Sequence, residues 1–376
     1  MNQRVKMDTF LDSPLGRAIL LELLGISPWN MADAIGFELK QAGGRPVPLV
    51  FSKRPNFSVK FRFKNRLDLH YAFNLLVQRS KKWFVPRKFS KRIDAESIPA
   101  EQSLSNEQRI VLHELISDAI RDRWSALEIE VNDPVALLRG VGQVTEHYPW
   151  GFPWHELPNT LEAIKNSLQP VAEIIAGSSE IDWWWSAMAE SNQRWLSVND
   201  AKLPTSKELV SAISRNSETI EMNFWWISPI DLQIPRTTRG PISSWLSVSL
   251  LCPGGPEQIH PESLKVWEVQ VPVNASIYEV QDAKDWIALV ERFPRHLAVS
   301  SNSDWSRWTR QTGPWILPDW KAISEKYDGV HISIAGYITA AYQALPVRDS
   351  FTILTGWRLD ETLWLGEAPT AIRQLA

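Results

Sequence analysis

The sequence predicts an α+β protein in two parts: a mixed, largely helical amino-terminal domain, residues 1–200, and a strand-rich domain, residues 201–376. Three observations carry that division. The length of 376 residues exceeds what one hydrophobic core usually organises. Apolar residues recur at helical spacing between about 101 and 200, whereas after about 220 they alternate with polar ones or form short runs bounded by Gly, Pro or Asp. Charge is also divided unevenly. Residues 51–92 hold 13 Lys or Arg against one acid, Asp68, which leaves 27 basic and 42 acidic side chains elsewhere in a chain of net charge −3.

Taken in order, the opening "MNQRVKMDTFLDSPLGRAILLELLGISPW" carries an apolar stretch broken by Glu22. It is too short for a membrane span and lacks the pattern of a secretory leader, so a soluble, cytoplasmic protein with no membrane partner is expected. A single cysteine, Cys252, excludes an internal disulfide and a cysteine-based zinc site and agrees with a reducing compartment. In "SLLCPGGPEQ" it has no local base, and it reads as a small apolar side chain rather than a nucleophile. Twenty Trp, some in runs such as Trp183-Trp184-Trp185, supply large rings for core and interdomain packing.

Within the basic stretch, "SVKFRFKNR" alternates strictly. Val59, Phe61 and Phe63 face one side of an expected strand, and Lys60, Arg62 and Lys64 face the other. Further on, "RSKKWFVPRKFSKR" gathers seven basic residues around Trp83, Phe84 and Phe89. Cations that neutralise phosphates beside rings that stack on bases suit nucleic acid. The expected contacts are Lys60, Arg62, Lys64, Arg79, Lys81, Lys82, Trp83, Arg87 and Lys88. RNA is preferred to duplex DNA because stacking needs unpaired bases. A solvated edge strand or a surface for an acidic protein partner would carry the same charge.

The helical part follows. "SNEQRIVLHELISDAIRDRW" opens on Ser105 as an N-cap, and "TLEAIKNSLQPVAEIIAG" runs to Gly177. Between them "GQVTEHYPWGFPWHELPN" reads as a turn-rich link. It holds His147 and His155 but no third ligand, so no metal site is expected. From about residue 220, "SSWLSVSLLC", "KVWEVQVPVNASIYEV", "HLAVSS", "DGVHISIAGYITAAY" and "SFTILTGW" read as strands. "DAKDWIALVERF" and "PDWKAISEKY" interrupt them as helices with acidic starts.

The phosphate-loop, dinucleotide-fold, nucleophile-elbow and zinc-protease motifs are all missing from the sequence. Three short stretches carry the remaining chemistry: "IPRTTRGP" with Arg236 and Arg239 in a loop before a strand, "YDGVHISIAGY" with His331 and Tyr337, and "GWRLDETLWL" with Asp360 and Glu361.

The order of these stretches is an Arg-bearing first strand, the "KVWEVQVPVNASIYEV" strand pair, a Trp-bearing helix, "DWKAISEKYDGVHIS" and a final acidic strand. It resembles bacterial mono-ADP-ribosyltransferase-like domains of the toxin–antitoxin and phage-defence kind, over roughly residues 225–370. The resemblance implies a split-β-sheet catalytic domain with NAD as co-substrate. A carboxylate then stabilises the positive charge that develops on ribose as nicotinamide departs. Glu361 is favoured for that role; a one-residue shift in alignment would choose Asp360. Successive strand side chains point to opposite faces, so only one of the two enters a given cleft. Either acid would also suit a strand end, paired with Arg358 or capping a turn.

The resemblance further implies an Arg near the first strand that holds the dinucleotide phosphates, a task suited to the guanidinium fork. Arg239 is the first choice and Arg236 the second, with Thr237 and Thr238 adding hydroxyl bonds. His331 and Tyr337 would line the cleft, although such a His belongs to the first strand in the family, so its role is not carried over directly. Ser243 and Ser244 only partly match a Ser-containing strand. The expected function is transfer of ADP-ribose from NAD to nucleic acid, with an antitoxin or chaperone as a further partner. A transferase acting on protein, a non-catalytic nucleic-acid-binding module and a purely structural protein are the alternatives.

Overall fold

The computed structural model describes residues 2–26, 105–130, 133–147, 158–198, 202–219, 234–240, 264–297 and 304–375. The basic, aromatic stretch 51–92, with all of its expected nucleic-acid contacts, lies outside these residues, as do His155, Ser243, Ser244 and Cys252. The described part is a mixture of helices and two mixed sheets.

Two short helices open the chain, Gln3–Leu11 and Pro14–Leu23. Ser13 separates them because its hydroxyl accepts the Gly16 amide at 2.8 Å, and Pro14, lacking an N–H, fits the first helical position. Their apolar faces bury Phe10, Leu15, Ile19, Leu20 and Leu21. The interruption at Glu22 thus falls in a core helix, and among the described residues no helix is long and apolar enough to cross a membrane. The expected helical region follows as Asn106–Glu130, Pro134–His147, Pro158–Ala163 and Lys165–Gly177. The first begins directly after Ser105 and the last ends at Gly177. One expectation is corrected here. Residues 142–147, assigned to a turn-rich link, complete the helix Pro134–His147, where buried Val141, Val144 and Thr145 keep the helical spacing.

The Trp triplet forms a 3₁₀ helix, Ser179–Trp185, capped by Ser178. Trp184 and Trp185 stack 6.4 Å apart and pack on Phe10. Trp183 is only partly buried.

The larger sheet has the order β11-β3-β1-β2-β10-β7-β4. Its strands are β1 (Gln193–Val198), β2 (Arg236–Arg239), β3 (Leu264–Gln270), β4 (Ile277–Val280), β7 (Gly329–Ile332), β10 (Glu361–Trp364) and β11 (Thr370–Gln374). Strand β1 comes from before residue 200 yet sits between β3 and β2. The smaller sheet, β5-β6-β9-β8, uses β5 (Pro294–Leu297), β6 (Trp315–Pro318), β8 (Leu345–Val347) and β9 (Ser350–Thr352).

Two further expectations are corrected. "KVWEVQVPVNASIYEV" does supply two strands, but β3 and β4 do not pair; β3 lies between β11 and β1, and β4 is the far edge, parallel to β7. Parallel neighbours need a long crossover. The helix Ala283–Arg292 and the chain up to β7 provide it. In "DGVHISIAGYITAAY" only Gly329–Ile332 is a strand, and Ile334–Ala340 is a helix. Ser333 switches one into the other by accepting the Gly336 amide at 3.0 Å. Gly336 is required by close approach, since a Cβ there would collide with the Val280 carbonyl oxygen.

The expected helix starts at Asp282 and Asp319 are both present. Asp282 accepts the Lys284 and Asp285 amides at 2.7 and 3.1 Å, and Asp285 accepts the Asp282 amide in return.

Candidate functional site

The central strands β2 and β10 bring the sequence-chosen residues together. Their antiparallel register sets Glu361 opposite Thr238, Thr362 opposite Thr237 and Leu363 opposite Arg236. On its other side β10 faces β7, with Glu361 opposite Ile332 and Thr362 opposite His331. Cross-strand partners share a face. Glu361, Thr238 and Arg236 therefore lie on one side of the sheet, and Thr362, Thr237, His331 and Arg239 on the other.

Asp360 precedes β10 in a turn with φ of 53°, a left-handed conformation that Asp tolerates better than most residues. This turn delivers its carboxylate to the His331 side. Asp360 and Glu361 are thus adjacent in sequence, on opposite faces, and 2% and 1% exposed respectively. An unpaired buried carboxylate would be costly, and each has its own arginine.

On the first face, Arg236 donates to Glu361 Oε2 at 2.7 Å and to the Gly356 carbonyl oxygen at 3.2 Å. The Arg358 amide donates to the same Oε2 at 3.1 Å. The Arg236 guanidinium lies 5.5 Å from the centre of the Trp357 ring, a cation–π contact. Trp357 packs in turn on Trp320 at 6.0 Å. Both bonds to Glu361 end on Oε2, and Oε1 has no donor among the described residues.

On the second face the charges alternate in sign. Glu279, on β4 beside His331, takes the His331 Nδ1 contact at 2.6 Å, and His331 Nε2 lies 3.3 Å from Asp360 Oδ1. Asp360 Oδ2 accepts the Arg239 amide at 3.3 Å and sits 3.5 Å from Arg239 Nε. Arg239 also donates to the Ser186 hydroxyl at 2.7 Å and rests 4.8 Å from the Trp183 ring centre. The Met188 amide donates to Glu279 Oε1 at 3.0 Å, so the chain after the Trp triplet is tied across this face at both ends. Burial works against a charged His331. The hydrogen bonds it donates to Asp360 and Glu279 and the charges of those two acids outweigh it and lift the imidazole to about 9. At neutral pH both ring nitrogens therefore donate.

The remaining sequence-chosen residues fall as follows. Arg236, the second choice, stands beside Glu361, and Arg239, the first choice, beside Asp360. Thr237 accepts the Trp364 indole N–H at 2.9 Å, and Thr238 is buried with a hydroxyl that has no hydrogen-bond partner among the described residues. Tyr337 is buried on the helix Ile334–Ala340 with its hydroxyl 2.7 Å from that of Tyr342. Four residues were not assigned to the site from sequence: Glu279, Trp357, Ser186 and Trp183, the last read only as a packing ring. Only Glu279 carries a readable sign, an acid inside an apolar strand. Among the described residues no group of three or more His, Cys, Asp or Glu is arranged to hold a metal ion.

Comparison with protein-family models, with curated proteins and with solved structures gave no match.

Proposed function

We propose that this chain is an NAD-dependent mono-ADP-ribosyltransferase whose acceptor is nucleic acid, RNA in preference to DNA. The observation that supports this most is the Arg236–Glu361 pair at 2.7 Å across the central strands β2 and β10. It sets a guanidinium, whose fork suits phosphate, beside a buried carboxylate.

In the proposed reaction the bond between ribose C1′ and the nicotinamide nitrogen breaks, the nitrogen keeps the electron pair, and positive charge spreads over C1′ and the ring oxygen. Glu361 faces that charge. At about 4 Å a full charge pair is worth on the order of 4 kcal/mol under partly buried conditions. An acceptor oxygen or nitrogen then bonds to C1′ and gives up its proton to water, so that nicotinamide and one proton leave as the other products. Arg236 has a double role. Without ligand it holds Glu361, and when phosphate arrives it shares its fork between the two anions. Asp360 is the less suitable acid, because His331 and Arg239 already engage both of its oxygens.

Purified protein is incubated with NAD carrying a label in its ADP-ribose part, together with total RNA, denatured DNA and protein extract. Label in RNA, absent with Glu361→Gln and present with Asp360→Asn, is the expected result. Label in the protein fraction would transfer the activity to a protein acceptor. No label and no NAD consumption would remove the transferase reading.

A further inference from the structure

The register of the larger sheet carries Glu361 into a straight row of side chains. Glu361 on β10 stands opposite Thr238 on β2, Thr238 opposite Arg194 on β1, Arg194 opposite Glu268 on β3, and Glu268 opposite Arg373 on β11. Cross-strand partners share a face, so the whole row projects to one side. Neighbouring strands lie about 4.8 Å apart, which puts Arg194 roughly 10 Å and Arg373 roughly 19 Å from the acid. Exposure of the charged side chains rises along the row, from 2% at Glu361 through 11% at Arg194 and 29% at Glu268 to 68% at Arg373. Strand β11 is the outermost of the sheet and exposed along its length. The row is therefore a path from the buried carboxylate to the sheet edge.

Charge along the path is unbalanced. Arg194 Nη1 lies 4.0 Å from Glu268 Oε1, and Arg373 donates to Glu268 Oε2 at 2.7 Å, so two guanidinium groups share one carboxylate. The hydrogen bonds of Arg194 go to neutral acceptors, the Gln193 carbonyl oxygen at 3.0 Å and the Asn192 side-chain oxygen at 2.6 Å. Burial draws the Arg194 guanidinium below its ordinary range, Glu268 works against that, and the Arg373 charge adds to it. With Arg236 and Glu361 included, Arg236, Arg194 and Arg373 stand against only Glu361 and Glu268. One further negative charge balances the set, and a phosphodiester brings one.

Resting on the ADP-ribosyltransferase reading, we infer that Arg194 and Arg373 hold phosphates of a single-stranded RNA acceptor and lead its backbone over the sheet edge towards Glu361. In that reading Arg236 already takes the phosphate of the small co-substrate. A cation four strands away on an exposed edge serves a polymer that runs on into solvent. Phosphate contacts position a strand without reading its sequence. The row thus sets where the acceptor lies, and the choice of base is made elsewhere.

The test measures binding of a fluorescently labelled single-stranded RNA to the full chain over a range of salt. Wild type is compared with Arg194→Gln, Arg373→Gln, Glu268→Gln and a charge control, Arg121→Gln, on the helix Asn106–Glu130. NAD affinity and ligand-free melting temperature are measured in parallel. Each of the first two variants is expected to bind several-fold more weakly, with a salt slope shallower by about 0.7, the share of one phosphate contact on a single strand. NAD affinity stays level in both. Glu268→Gln is expected to bind RNA more tightly, because the anion that competes with phosphate is gone; a purely structural ion triad would not give that sign. Arg373 stands at the exposed edge, so its variant decides the matter even where Arg194→Gln melts early. Arg121→Gln keeps the wild-type affinity and slope. No RNA binding by wild type, an unchanged slope in Arg373→Gln, an equal loss in Arg121→Gln, weaker binding by Glu268→Gln or a matching loss of NAD affinity would each overturn the inference. RNA binding with the expected signs by a protein that consumes no NAD would keep the phosphate contacts and remove the transferase reading.

Discussion

The two faces of the central sheet treat neighbouring acids differently. Asp360 has both oxygens engaged, Oδ1 by His331 and Oδ2 by Arg239, and Glu279, Ser186 and Trp183 in turn touch those two residues. Glu361 has one oxygen committed to Arg236 and Arg358 and the other without a protein donor. A carboxylate with all its bonds made organises the fold, and a carboxylate with a bond to spare is available for a ligand. Under the proposed function the chemistry belongs to Glu361 and Asp360 orders its own face; buried polar atoms without a hydrogen bond lie on both, Thr238 Oγ1 on one and Thr362 Oγ1 and Arg239 Nε on the other.

The sharpest break of that contrast is Asp360→Ala. It leaves the His331 imidazolium and the Arg239 guanidinium facing each other without their shared anion. Loss of one partner from a buried ion network costs roughly 3–5 kcal/mol, to be read as a lowered midpoint in urea. Glu361→Ala removes one acceptor from Arg236, which keeps the Gly356 carbonyl and whose side chain is 21% exposed and can reach water, and one from the Arg358 amide. Its midpoint should fall by less.

Next in size is a pH effect on the Asp360 face. The folded-state value of His331, about 9, lies above its ordinary 6.5. The favoured charged form therefore contributes stability fully below pH 6.5 and loses it as the pH rises towards 9. The integrated contribution is at most roughly 3 kcal/mol, at about 1.4 kcal/mol for each unit of displacement. Thermal melts should show wild-type stability declining through that window, and His331→Gln should flatten the decline. An unchanged slope in the variant would detach His331 from the Glu279–Asp360 pair.

The smallest expected effect is that of Trp183→Leu. It removes the ring beneath Arg239 and costs about 0.5–2 kcal/mol as a cation–π contact. The loss should be reduced when Arg239→Leu is already present, since the cycle isolates the pair. Full additivity would show that the ring and the cation do not interact.

Local signals were legible in the sequence. Ser105, Asp282 and Asp319 mark helix starts as expected, and "ETLW" forms a central strand, whereas Arg236–Arg239, read as a loop before a strand, is itself strand β2. The opposite orientation of Asp360 and Glu361 is the one strand alternation suggests, but the left-handed turn at Asp360, just before β10, is what sets it. What sequence reading missed depends on contacts far apart in the chain. Glu279 meets His331 across 52 residues and Arg239 meets Ser186 across 53, and no local pattern encodes such pairs. The same reason explains the error over β3 and β4. Proximity in sequence favours a hairpin, yet β4 gains a parallel partner in β7 through a crossover that only the assembled sheet reveals. In "ISIAGYITAAY", short apolar runs fit a buried helix as well as a strand. Ser333 and Gly336 settle the choice.

The most direct test of the assignment is nicotinamide release from NAD by wild-type protein, Glu361→Gln and Asp360→Asn, each scaled to its folded fraction. The account predicts release by the wild type, a loss of on the order of 100-fold or more in Glu361→Gln at near-normal melting temperature, and release within a few-fold of wild type per folded molecule of Asp360→Asn. Release undiminished in Glu361→Gln, or lost in Asp360→Asn with its fold intact, would contradict it.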